Sequence, residues 1–292
     1  MAPDPALDPL PAPSSGAQRT ARVVRTVRRR SNNRSHSVKH MERLERTREA
    51  EAFLDARQQT PADVVSACEG WTAHEVTAHL AAAAAEITRH LEPYLQGDAV
   101  PETRTFEQRE PPFRAMDDAR LCERLVDEEA RVRAIIGQVL AQEPDAAIPW
   151  TGRQMAVAKF LPHLRNEFAV HRWDFVGDDQ TSYELLSQPE LTEHAVGVLG
   201  RILTRRGAEH DPFPGQDFDV RLRAAGAADV RVVVAEGQAG LEMADGDGPH
   251  VDLDAAARTL VIWGRRPDQR GRFRSHLSEA DLLRLQTLLS GY

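Results

Sequence analysis

The chain has 292 residues, of which 41% are hydrophobic and only 5% aromatic, and a net charge of −8. That length suits two domains or one large one, and the apolar content suffices for a real core. The charge divides unevenly, residues 1–40 carrying +6 and the remainder −14, which excludes a nucleic-acid groove in the folded part.

Residues 1–40 are rich in Pro, Ala and Ser, then basic (RTVRRRSNNR), with little to bury. They are expected to be a disordered extension, so a chain beginning at Met41 should fold with an unchanged thermal midpoint. From Met41 the apolar spacing turns helical. The first helix is predicted from about Glu42 to Gln58, ahead of Pro61. The second follows a capping box, Thr72 with Glu75, and a staple residue, Trp71; it reaches about Tyr94. The third spans about Met116 to Gln142, before Pro144. The fourth covers about Gln154 to Val176, with Pro162 either kinking it or marking its start. A further helix, Pro189 to Arg206, is predicted from Ser187 and Glu190 as its capping box and Gly207 as its end. Together residues 41–210 predict an antiparallel helical bundle.

After Pro214 the period changes from 3.6 to 2. Phe218, Val220 and Leu222 alternate as in a half-buried strand, and DVRVVVAEGQAGLEM predicts a hairpin turning near Gly237–Gly240. Asp254 can cap a short helix through Trp263, and Ser278 with Asp281 starts a last helix, Glu279 to Ser290, closed by Gly291. Residues 215–292 therefore predict a small, separate α+β domain. Cys68 and Cys122 are far apart and form no CxxC, consistent with free thiols in a reducing cytoplasm. No run of about 18 apolar residues exists for a membrane span, and no apolar segment follows the N-terminal basic residues as a secretory signal requires.

The chemistry concentrates in Phe160–Val176 (FLPHLRNEFAVHRWDFV). Glu167 and His171 are four apart on a predicted helix, so both can reach one divalent ion. An exposed pair would be unremarkable, but Phe160, Leu164, Phe168, Trp173 and Phe175 make this helix largely apolar. A glutamate there is costly unless paired or metal-bound. His79, in GWTAHEVTAHLAAAAAEI, is the best third ligand, with a satisfied core histidine as the alternative. His163, four before Glu167, can be a ligand, an outer partner or a surface residue. His90 is about 16 Å further along its helix than His79 and cannot share the ion.

The segments CEGWTAHEVTAHL (68–80) and LRNEFAVHRWDFVG (164–177) resemble the two hallmark motifs of the mycothiol-dependent maleylpyruvate isomerase family. That family is written roughly as C-x-G-W-[ST]-x-x-x-[LV]-x-x-H-[LV] and R-x-x-E-x-x-x-H-x-x-D. Cys68, Gly70, Trp71, Thr72, Val76, His79 and Leu80 match the first; Glu167, His171 and Asp174 match the second, while Arg165 lies two rather than three before the glutamate. The resemblance implies a DinB-like four-helix bundle with His79, Glu167 and His171 as metal ligands. The C-terminal segment with WGRRP (263–267) resembles the sterol-carrier-like domain appended in many members. Implied with the family are a divalent metal, zinc by preference, and mycothiol as a thiol cosubstrate acting on a small electrophile, by S-transfer or isomerisation, in a cytoplasmic monomer or homodimer. On this reading Asp174 and Arg165 orient ligands, Arg165 being assigned to cofactor binding, and Arg265 can grip a substrate carboxylate bidentately. Two other readings stand beside it: a metal-dependent hydrolase using bound water, and a metal-stabilised binding module without turnover.

Overall fold

The computed structural model describes residues 45–68, 70–267 and 271–290. The predicted N-terminal extension, and Gly291 as a helix stop, lie outside that range. The described residues pack as one compact unit.

The first half is helical. α1 (Arg48–Gln59) starts where the Thr47 side chain accepts the Ala50 N–H, not at Glu42. α2 (Ala73–Gln96) begins at the predicted Thr72–Glu75 capping box and ends at Gly97 in a left-handed conformation. Two one-turn helices absent from the sequence reading, α3 (Phe106–Arg109) and α4 (Pro111–Arg114), precede α5 (Asp118–Gln142), whose cap is Asp117. α2 packs on α5 and α1 on α6 (Phe160–Val176). Ala81, Ala82 and Ala84 are fully buried in α2, so the alanine run serves close helix approach. Phe53 of α1 meets Phe168 and Phe175 of α6 at ring distances of 5.5 and 5.3 Å.

The stretch from Gln154 is not helix, as periodicity suggested, but the second arm of a hairpin. β1 (Ala147–Trp150) pairs antiparallel with β2 (Arg153–Ala156). Thr151 and Gly152, with φ of 47° and 75°, make the two-residue turn whose twist suits flanking strands. Ile148, Trp150 and Met155 go to the core. A short 3-10 turn then leads into α6, so Pro162 is the third residue of the helix, where a missing N–H costs nothing.

α7 (Gln180–Leu186), unpredicted, is followed by α8 (Pro189–His194), a π-helical turn (Ala195–Leu199) and α9 (Gly200–Ala208). Ser187 does not cap this run; Gln188 holds the cap position without a side-chain capping bond. Gly207 is not a terminator either. It lies inside α9, and a Cβ there would come within 2.4 Å of the Leu288 carbonyl oxygen. It is glycine because another helix end crosses over it.

The C-terminal part alternates as expected. β3 (Phe218–Ala224), β4 (Val230–Ala235), β5 (Gln238–Met243), β6 (His250–Leu253) and β7 (Phe273–Ser275) form one sheet in the order β5-β4-β3-β6-β7, with β3–β6 parallel and the other pairs antiparallel. The β4–β5 turn falls at Glu236–Gly237, both with positive φ. α10 (Ala255–Ile262) and α11 (Glu279–Leu288) complete it, with caps at the predicted Asp254 and Ser278. The sheet shares a buried apolar cluster with α6: Ala169, Val170 and Trp173 pack in the same core as Val220, Leu222 and Leu260. α6 is therefore buried on nearly all sides, with Phe160, Leu164 and Phe168 facing the bundle core. No helix among the described residues is long and apolar enough to cross a membrane.

Buried charge recurs in the bundle. The Glu86 side chain is fully buried, held by Arg89 (2.7 Å) and Arg104 (2.7 Å). Burial alone would raise its pKa, but the two arginines overcome that and bring it from 4.5 to about 2. Its folded-state value lies below the unfolded one, so its contribution is present above pH 4.5 and disappears as pH falls through about 2. Glu86→Gln is expected to be less stable than the parent at pH 7, with the gap closing across that window in urea titrations. A gap independent of pH would contradict this.

Candidate metal centre

The structure brings the three predicted ligands to one point. His79 comes from α2, and Glu167 and His171 from one stripe of α6. One ligand atom from each lies within 4.8 Å of the others, and all three residues are buried. The Nε2 atoms of His79 and His171 sit 3.5 and 3.4 Å from the same carboxylate oxygen, Oε2 of Glu167. Those separations exceed the about 2.7–3.2 Å of ordinary N–H···O hydrogen bonds. They match the edge, about 3.4 Å, of a tetrahedron with metal–ligand bonds of about 2.1 Å.

The other ring nitrogens are engaged. Nδ1 of His79 meets Glu110 Oε1 at 2.8 Å, and Nδ1 of His171 meets Asp174 Oδ2 at 2.8 Å. Each carboxylate accepts the Nδ1 proton, which leaves the two Nε2 lone pairs aimed at the same space. Orientation of this kind is what metal-ligating histidines require. Both outer carboxylates are themselves gripped by arginine: Glu110 by Arg114 (2.8 and 3.0 Å), and Asp174 by Arg265 (3.0 and 2.8 Å).

Electrostatics follow from this frame. Burial favours a neutral Glu167, but the imidazoles of His171 and His79 beside it outweigh that and hold its pKa well below the usual range. Burial likewise opposes charge on His79, yet Glu110 and Glu167 raise its pKa. The donor set, two imidazoles and one carboxylate with their outer partners, fits a borderline divalent cation such as zinc. Three protein ligands leave a coordination position for another group.

The remaining predicted residues fall in different places. Asp174 sits beneath His171, seven residues from Glu167 on the same face. Arg265, just past α10, forms a buried two-pronged pair with Asp174. Its fork is committed to a protein carboxylate, so the expected grip on a substrate carboxylate gives way to a positioning role. Arg165 does not join the cluster. Two residues from Glu167, it lies about 200° round the helix and binds Glu49 (2.9 Å), Gln188 and Glu190 (3.2 Å). Its hydrogen bonds tie α6 to α1 and α8. His163 approaches the other oxygen of Glu167, Oε1, at 3.5 Å, and its Nδ1 faces His194 at 3.4 Å. Burial lowers its pKa despite the Glu167 charge.

Sequence reasoning missed Glu110, Arg114 and Arg109. A signal for α3, which carries Arg109 and leads into Glu110, exists, since Thr105 and Gln108 have capping-box spacing, and the Thr105 N–H does donate to Gln108 at 2.9 Å. What that helix contacts is not encoded locally. The walls are aromatic: Trp71 lies 5.1 Å from His79 and is stacked near-parallel with His171, and Phe106 lies 5.4 Å from His79. Arg109 covers Phe106 at 4.6 Å and is buried, and its Nε has no hydrogen-bond partner among the described residues.

Cys68 borders the site, its sulfur within 4.8 Å of donor atoms of His171 and Asp174. Burial raises its pKa to about 11; the nearby Arg265 charge opposes that, while Asp174 and Glu167 reinforce it. It should therefore react slowly with iodoacetamide at pH 7. Alkylation at the rate of a free thiol with ordinary pKa would contradict this assignment.

Residues 43–175 match the family model described as the mycothiol maleylpyruvate isomerase N-terminal domain. Among solved structures, the fold resembles the crystal structure of the mycothiol-dependent maleylpyruvate isomerase, at 14% identity and a TM-score of 0.51 over 75% of this chain and 86% of that one. A histidine-to-alanine mutant of that enzyme matches with the same values. No curated protein sequence matches the chain.

Proposed function

We propose, from the match of residues 43–175 to the mycothiol maleylpyruvate isomerase N-terminal domain model, that this protein is a metal- and mycothiol-dependent enzyme that brings a thiol to a small electrophile, as an S-transferase or an isomerase. The observation that carries the reading is the pair of histidine Nε2 atoms at 3.4 and 3.5 Å from one glutamate oxygen, with both Nδ1 atoms held by carboxylates. His79, Glu167 and His171 would hold the ion, which would supply the positive charge that keeps a bound thiol ionised near neutral pH.

The chain's own residues do the rest. Asp174 accepts the His171 Nδ1 proton and so holds the ring with Nε2 facing Glu167; Arg265 fixes Asp174 in turn. Glu110 does the same for His79, fixed by Arg114, whose guanidinium also lies 5.1 Å from the Trp71 ring. Trp71 and Phe106 line the cluster, their rings 5.1 and 5.4 Å from that of His79. Arg109, buried without an ion pair among the described residues, lies where its charge is felt by Glu167. It is suited to receive an anionic group of thiol or electrophile, since a buried guanidinium gains most from a carboxylate partner.

The test is turnover by zinc-loaded protein with and without mycothiol. Electrophile consumption that requires the thiol supports the proposal. Equal loss of thiol and electrophile marks S-transfer, and cis–trans conversion of maleylpyruvate with the thiol recovered marks isomerisation. Turnover without any thiol would replace this reading by a hydrolase, and tight metal binding with no turnover of any electrophile by a binding module.

A further inference from the structure

A second convergence of metal-ligating side chains lies on the C-terminal sheet. β6 and β7 pair antiparallel, with Val251 opposite Ser275 and Asp252 opposite Arg274. Continuing that register by one residue sets His250 opposite His276. His250 and Asp252, two apart on one strand, share a face. Three potential ligands thus meet through strand pairing alone. One ligand atom from each lies within 4.8 Å of the others, and the two imidazole rings are 5.2 Å apart.

The detailed geometry repeats the logic of the buried cluster. The Nε2 atoms of His250 and His276 stand 3.9 and 3.6 Å from the same oxygen, Oδ2 of Asp252. Both distances are too long for hydrogen bonds and near the about 3.4 Å edge of a tetrahedral coordination shell. Nδ1 of His250 donates to the Gly248 carbonyl at 3.0 Å, which fixes the tautomer that leaves Nε2 as the free lone pair. Arg223 approaches the other oxygen of Asp252, Oδ1, at 3.8 Å, so it balances the carboxylate without occupying Oδ2. Asp252 and His276 have side chains 45% and 65% exposed, so water can complete the shell and an ion can enter directly.

We propose that His250, Asp252 and His276 form a second divalent-cation site, which takes a first-row transition ion such as zinc. Two imidazoles and one carboxylate select such ions over calcium or magnesium, which prefer all-oxygen shells. The ion would clamp β7, a three-residue edge strand, to β6. It binds only where the strands are paired, so it stabilises the folded sheet by mass action.

The experiment is a calorimetric zinc titration of the full chain carrying His79→Ala and His171→Ala, so that the buried cluster contributes no signal and the outcome is independent of the function proposed above. One equivalent of zinc should bind, with no heat from magnesium or calcium. Adding His276→Ala, an exposed change that leaves the core intact, should weaken binding at least tenfold, and His250→Ala should do the same. Thermal midpoints should rise with zinc in the parent and stay flat in the two variants. Absence of an equivalent in the parent, or zinc binding unchanged by both substitutions, overturns the proposal.

Discussion

His171→Ala is expected to abolish stoichiometric zinc binding at the buried cluster, and His79→Ala to do the same. Each removes one of three protein ligands, and a two-ligand remnant holds an ion loosely. The measurement is metal content per chain after dialysis, with His250 and His276 replaced so that only the buried cluster is counted. Glu167 is the more informative position. Both Nε2 atoms converge on its Oε2, so Glu167→Gln keeps shape while removing the anionic donor. It should weaken zinc more than tenfold and, with the metal gone, remove thiol-dependent turnover. A double variant of His79 and His171 that retains one zinc at this cluster would sink the assignment.

Arg265→Ala should be the most destabilising single change next to the site. It breaks a buried two-pronged pair at 3.0 and 2.8 Å and leaves Asp174, 4% exposed, with one partner fewer. Removing one member of a buried pair typically costs about 3–5 kcal/mol. For a chain of this size that lowers the thermal midpoint by on the order of 10 °C. Arg265→Lys should recover part of the loss, since an ammonium restores the charge but not the fork. Asp174→Asn separates position from stability. It preserves volume but stops holding the His171 tautomer, so zinc affinity should fall by about 10–100-fold with a smaller thermal shift. If Arg265→Ala keeps both midpoint and zinc affinity within error, Arg265 is not a positioning residue and its assignment fails.

The sequence by itself determined the helical identity of α1, α2 and α5, because each carries a sustained 3.6-residue apolar period with local stop or start signals, and that of α6 through its long apolar run, though not its start. It determined the alternation after Pro214 for the same kind of reason, and Thr72, Asp254 and Ser278 as caps, since a cap bonds only to its own first turn. It also determined the pairing of Glu167 with His171, which depends on nothing beyond helix geometry. Tertiary structure decided what local period cannot encode. Gln154–Ala156 became strand because Thr151 and Gly152 turn the chain back onto Ala147–Trp150. Gly207, in the last turn of α9, is glycine because the end of α11 crosses it. Arg265 faces Asp174, 91 residues away, and Glu110 faces His79, 31 residues away; no spacing rule connects either pair. Arg165 matched the motif most loosely and was turned away from the cluster, since a carboxylate at Glu49 was within its reach and the ligand face was not. The ligands themselves are local choices of residue type. Their outer partners are set by which helices the two apolar cores press together, because a buried carboxylate is tolerated only where packing delivers a cation to it.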